Sequence, residues 1–127
     1  MELVAATILL ALVEYVVFAA LVGRARGKYG IKAPATTGHP DFERVNRVHL
    51  NTLESLIVFV PGAWIFGLYV STRWAAVLGV VFIVARIVYA VGYFKAAEKR
   101  GPGAGLTGLV NITLLIGGLI GIGRAWL

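Results

Sequence analysis

Arg47, Asn51 and Glu54 fall at i, i+4 and i+7 of one stretch, and Arg86, Tyr89, Tyr93 and Arg100 follow one another at steps of three, four and seven in another. On helices, such steps put each set along one face. Arg44 and His49 flank the first set. Together the stripes offer guanidiniums for carboxylates, a carboxylate for an amine, an amide, and two phenols. Bidentate arginine contacts suit a carboxylate-bearing ligand. A zwitterionic peptide with two carboxylates and one ammonium matches this inventory.

The elements that carry these stripes are apolar. A mean hydropathy of +0.85 and 59% hydrophobic residues over 127 positions lie far outside the soluble norm. Four stretches, Leu3–Val22, Thr52–Val70, Trp74–Phe94 and Gly105–Ile122, are each long enough for a bilayer core of about 30 Å. The pattern predicts an all-α integral membrane protein, a single domain over 1–127. It is a four-transmembrane-helix bundle with helices at roughly 2–27, 41–70, 73–100 and 104–125. An unpaired charge in hydrocarbon costs on the order of 3 kcal/mol, so the two stripes are expected to face each other or a watery pocket.

Glycines and basic residues at Gly23–Gly27 end the first helix, and the prolines and glycines of the loop to Pro40 forbid a continuous one. Asp41 is placed to cap the second helix, which starts before the membrane. Gly101-Pro102-Gly103 is expected to break the third helix just after Arg100, and Gly117-xxx-Gly121 lets helix backbones approach closely. Thr107 and Asn111 are expected to hydrogen-bond across helices. Glu14 and Arg86 lie at similar depth and are expected to neutralise each other as a structural ion pair. Trp64, Tyr69, Trp74 and Trp126 mark one interface as an aromatic belt.

Net charge is +6, but its distribution points to a membrane rather than to nucleic acid. Arg24, Arg26, Lys28, Lys32, Arg44, Arg47, Lys95, Lys99 and Arg100 gather at one side, against Arg73 and Arg124 at the other. By the positive-inside rule the 23–42 and 95–104 loops face the cytoplasm and both termini face away. The basic rim also suits anionic lipid or an anionic ligand. The start, Met1-Glu2 with no basic run, is not that of a cleavable signal peptide. No cysteine is present, so any thiol chemistry requires a bound small-molecule thiol. His39 and His49 lack partners for a metal site, and none is expected.

At these residues the chain resembles the MAPEG family, the membrane-associated proteins in eicosanoid and glutathione metabolism. The resemblance rests on the four-helix layout, the loop Pro34-Ala-Thr-Thr-Gly-His-Pro40, the run Phe42-Glu-Arg-Val-Asn-Arg-Val-His-Leu-Asn-Thr-Leu-Glu54, and Arg86-Ile-Val-Tyr-Ala-Val-Gly-Tyr93 followed by Arg100. The motif looks most like the leukotriene C synthase and microsomal glutathione transferase branch. The resemblance implies a homotrimer that binds glutathione between adjacent subunits near the cytoplasmic side. It also implies that Arg26, Arg47, Asn51, Glu54, Tyr89 and Tyr93 hold the tripeptide, and that Arg100 keeps its sulfur as thiolate. Gly27, Ser55 and Leu50 depart from related motifs. Tyr89 stands where prostaglandin isomerases of the family carry histidine, which argues against that activity.

The expectation is therefore a membrane-bound glutathione transferase acting on lipophilic electrophiles, with possible glutathione-dependent peroxidase activity on lipid hydroperoxides. A non-catalytic lipid-binding scaffold is the alternative, and a small transporter coupled through Glu14 is a third class. A bacterial inner membrane is the expected location, with the endoplasmic reticulum as the other candidate.

Overall fold

The computed structural model describes all 127 residues and is wholly helical. Helix α1 spans Glu2–Tyr29, α2 Pro40–Tyr69, α3 Thr72–Lys95 and α4 Gly101–Trp126, with one 3-10 turn at Ala97–Arg100 before α4. All four helices are long and apolar enough to cross a membrane. The shortest, α3 at 24 residues, reaches about 36 Å at 1.5 Å per residue. Only 32 of the 127 residues are buried, because the outward faces carry side chains such as Leu9, Val16, Ile57, Trp74, Ile116 and Leu119 that a bilayer must cover. The expected belt residues Trp64, Tyr69, Trp74 and Trp126 are all exposed.

Helices α2 and α3 form the centre of the bundle, and each packs against α1, α4 and the other. The main core gathers Val4, Ile8 and Ala11 of α1 with Leu56, Phe59, Ala63 and Phe66 of α2, Phe82 of α3 and Leu114 of α4. Phe59 and Phe82 stack at 4.0 Å between centroids. Two smaller clusters continue toward the basic end, one built on Phe18, Val48, Tyr89 and Ala90, the other on Val22, Ala25, Ile31 and Phe42.

The helix ends explain how the basic side is shaped. Helix α1 stops at Gly30, whose φ of 67° and ψ of 33° are the left-handed cap that glycine supplies without a Cβ clash. Helix α2 is capped by His39 rather than by Asp41. The His39 Nδ1 accepts the Asp41 N–H at 3.1 Å, and its ring stacks on Tyr29 at 4.0 Å. Pro40 accounts for the shift: its fixed φ suits the first helical position and drives the preceding residue out of the helical region. Asp41 pairs instead with Arg44 and accepts from the Tyr29 hydroxyl at 3.3 Å.

The third helix is shorter than its periodicity suggests. It ends at Lys95, Ala96 is extended at φ −163° and ψ 139°, and Arg100 sits in the 3-10 turn. Gly101-Pro102-Gly103 does not break a helix but opens one, with Pro102 in the first turn of α4, where its missing N–H has no intrahelical partner to lose. Gly103 makes this possible. A Cβ there would lie 2.4 Å from the Tyr89 nitrogen, so glycine lets the start of α4 lie on the α3 backbone. At the other end a Cβ on Gly121 would meet the Tyr69 carbonyl oxygen at 2.7 Å, a close backbone approach within the expected glycine motif.

Candidate functional site

Near the basic end, α2, α3 and the start of α4 enclose a cavity of about 240 Å³ lined by Arg47, Asn51, Tyr89, Tyr93, Arg100 and Ala104. Five of these belong to the two stripes, which therefore form walls of one concavity. Helical spacing aligns Arg47 with Asn51 and Tyr89 with Tyr93. Arg100 arrives by a different route: the chain leaves α3 at Ala96 and turns back, and its guanidinium comes to 5.9 Å from the Tyr93 ring centroid. That guanidinium also donates to the Ala97 carbonyl at 3.0 Å and is otherwise free of partners. The two phenol rings lie 5.5 Å apart and tilted.

Glu54 stands beside the cavity without lining it, and its Oε1 is 3.5 Å from the Arg47 Nη1. Both side chains are at least half exposed, at 50% and 59%. An open pair of this kind contributes about 0.2–1 kcal/mol and leaves both groups able to meet a ligand. Arg26 lies apart from this cavity within the chain. It donates to the Ala35 carbonyl at 2.7 Å and sits 5.0 Å above the Phe42 ring, holding the loop against α2.

Behind the cavity is a group whose role differs from expectation. In place of a Glu14–Arg86 ion pair, Arg86 donates from Nη2 to Asn51 Oδ1 at 2.8 Å and to Thr52 Oγ1 at 2.9 Å. Its Nη1 donates to Thr107 Oγ1 at 3.3 Å. Its Cζ lies 4.1 Å from the Tyr89 centroid, and the residue is 1% exposed. Depth along the membrane placed Glu14 level with Arg86, but depth does not fix rotation about a helix axis. The acceptors on α2 and α4 are nearer, and both Glu14 carboxylate oxygens are buried with no hydrogen-bond partner. Thr107 and Asn111 do bond between helices, the latter to the Ser55 carbonyl at 3.3 Å. Thr52 and Ala104 escaped the sequence reading. The usable signal for Thr52 was a hydroxyl one residue after Asn51, on the side of α2 turned toward the one arginine in the middle of a span.

A family model for the MAPEG family matches residues 3–120. The chain belongs to the MAPEG family. Among MAPEG relatives, a protein of Synechocystis sp. described as uncharacterized is 51% identical over 113 residues, covering 89% of this chain and 82% of that one. Microsomal glutathione S-transferase 2 of Homo sapiens is 40% identical over 126 residues, covering 98% and 85%. Leukotriene C4 synthase of Cavia porcellus is 36% identical over 98 residues, covering 77% and 65%. The chain is thus similar along nearly its whole length to a microsomal glutathione S-transferase.

Proposed function

We propose that this MAPEG protein is a membrane glutathione transferase, with Arg100 as the residue that activates the thiol. The observation that carries the reading is the convergence of Arg47, Asn51, Tyr89, Tyr93 and Arg100 on one cavity in a bundle whose flanks are apolar. Two guanidiniums, an amide and two phenols suit the carboxylates and peptide groups of glutathione. Glu54, beside them, suits its ammonium. Arg26 supports the tripeptide from a neighbouring copy.

A single chain supplies only part of the site. Its cavity of about 240 Å³ falls below the roughly 300–1,000 Å³ of complete small-molecule pockets, and Arg47 and Glu54 face outward from α2. We take the remaining walls to come from a second copy laid against that face, in a homotrimer with sites between subunits. The basic loops then face the cytoplasm, where glutathione is supplied, in a bacterial inner membrane or the endoplasmic reticulum.

Arg100 acts by charge. An arginine stays protonated, so it is not the base; the thiol proton leaves to water while the guanidinium stabilises the thiolate left behind. The sulfur then attacks an electrophilic carbon of a lipophilic acceptor entering from the bilayer. The S–C bond forms, and the leaving group departs with the electron pair of the bond it breaks. With a lipid hydroperoxide the same thiolate attacks oxygen, the O–O bond breaks, and an alcohol and glutathione sulfenic acid result. A second glutathione converts the sulfenic acid to disulfide and water.

The test is conjugation of glutathione to a chloro-nitroaromatic acceptor by purified protein in detergent, together with calorimetric titration of glutathione. Turnover and saturable binding are expected. Protein that binds no glutathione at millimolar concentration would contradict the reading.

A further inference from the structure

A second concavity at the basic end has no residue in common with the first. It has a volume of about 230 Å³ and lies among α1, α2 and α3, bounded by Leu21, Arg24, Lys28, Tyr29, Val45 and Phe94. Arg24 and Lys28 are one helical turn apart, so their side chains rise on one face of α1. Both are exposed, and neither has an ion-pair or hydrogen-bond partner; the Lys28 Nζ has only the Tyr29 ring, at 5.4 Å. Of the nearby arginines, Arg26 donates to the Ala35 carbonyl and Arg44 pairs with Asp41.

The floor of this concavity is apolar and the two free cations stand at its rim. It lies where α1 passes from its apolar run, ending near Val22, into the basic segment that leaves the membrane. Basic pockets between membrane helices on the positively charged side hold anionic head groups. We infer that this pocket binds an anionic phospholipid, with Arg24 and Lys28 on the phosphate and the first acyl carbons against Leu21, Val45 and Phe94. No carboxylate lines it, so the ammonium of a zwitterionic head group meets no opposite charge there, and the pocket discriminates by charge. The apolar floor distinguishes a lipid from free phosphate, which has no group to place on it.

The experiment is native mass spectrometry of the full-length protein released from mixed micelles containing phosphatidylglycerol and phosphatidylcholine in equal amounts. Wild type is expected to retain phosphatidylglycerol preferentially. The double variant Arg24→Gln/Lys28→Gln is expected to lose that preference by on the order of tenfold, with an unchanged far-ultraviolet dichroism spectrum and unchanged glutathione affinity. A charge-matched control, Lys32→Gln/Lys99→Gln, is expected to keep it. An equal loss in the control would reduce the effect to general surface charge and overturn the pocket. So would a double variant with wild-type retention, displacement of the lipid by inorganic phosphate, or displacement by glutathione, which would make the pocket part of the tripeptide site.

Discussion

The Arg86 guanidinium donates to the Asn51 side-chain oxygen at 2.8 Å, so a buried cation that does not line the cavity fixes the rotamer of a residue that does. The same guanidinium lies 4.1 Å from the Tyr89 ring centroid. One charge thereby orients one group on each of two helices, and Thr52 and Thr107 satisfy the rest of its fork within the apolar bundle.

Arg86→Gln is expected to weaken glutathione binding and lower thermal stability together. A hydrogen bond to a charged group contributes about 1.5–3 kcal/mol, so a loss of roughly tenfold in affinity is the expected scale. Arg86→Lys keeps the charge without the planar fork and should fall between the two. Calorimetric Kd and unfolding midpoint in the same detergent check this; an unchanged Kd in Arg86→Gln would show that Arg86 does not position the site.

Gly103→Ala is expected to displace the start of α4 and with it Arg100. The new Cβ would sit 2.4 Å from the Tyr89 nitrogen, and overpacking of this kind costs about 1–3 kcal/mol. Gly105→Ala, two residues on, meets nothing within 4 Å and should be neutral or gain up to about 1 kcal/mol of helix propensity. Thermal unfolding and turnover of the pair test the contact, and equal behaviour would contradict it.

The four spans were legible because long apolar runs need no partner to be recognised, and Arg47, Asn51, Tyr89 and Tyr93 were legible as cavity residues because their spacing is a helical repeat. Arg100 reached the cavity for another reason. Its step of seven from Tyr93 suggested one continuous helix, yet the chain leaves α3 at Ala96, and the close approaches of Lys99 to Gly92 and of Gly103 to Tyr89 bring Arg100 back. Glu14 and Arg86 form no ion pair because Asn51, Thr52 and Thr107 take the guanidinium's donors, acceptors that depth along a span does not reveal. The His39 cap was available from Pro40, whose place at the first helical position puts the cap one residue earlier.

His39→Ala is expected to destabilise the bundle by about 0.5–2 kcal/mol through loss of the α2 cap and of stacking on Tyr29. His39→Asn should recover most of the cap. Glutathione turnover should change little in either, since His39 lies outside the cavity. Unfolding midpoints in detergent check the order of wild type, Asn and Ala.

Arg47→Ala separates ligand binding from structure. The open pair with Glu54 contributes about 0.2–1 kcal/mol, so stability should barely move. The glutathione KM should rise by roughly tenfold, the scale of one lost charge-assisted contact, with kcat largely kept. A large fall in unfolding midpoint with unchanged KM would assign Arg47 to structure.

Arg100 is proposed to hold glutathione as thiolate, and the ultraviolet absorbance of the bound thiolate at neutral pH measures this directly. Wild type titrated with glutathione is expected to develop a saturable thiolate band. Arg100→Ala should still bind the tripeptide by calorimetry, through Arg47, Asn51 and Tyr93, yet show no band and little turnover. An Arg100→Ala protein with the wild-type band would contradict the account.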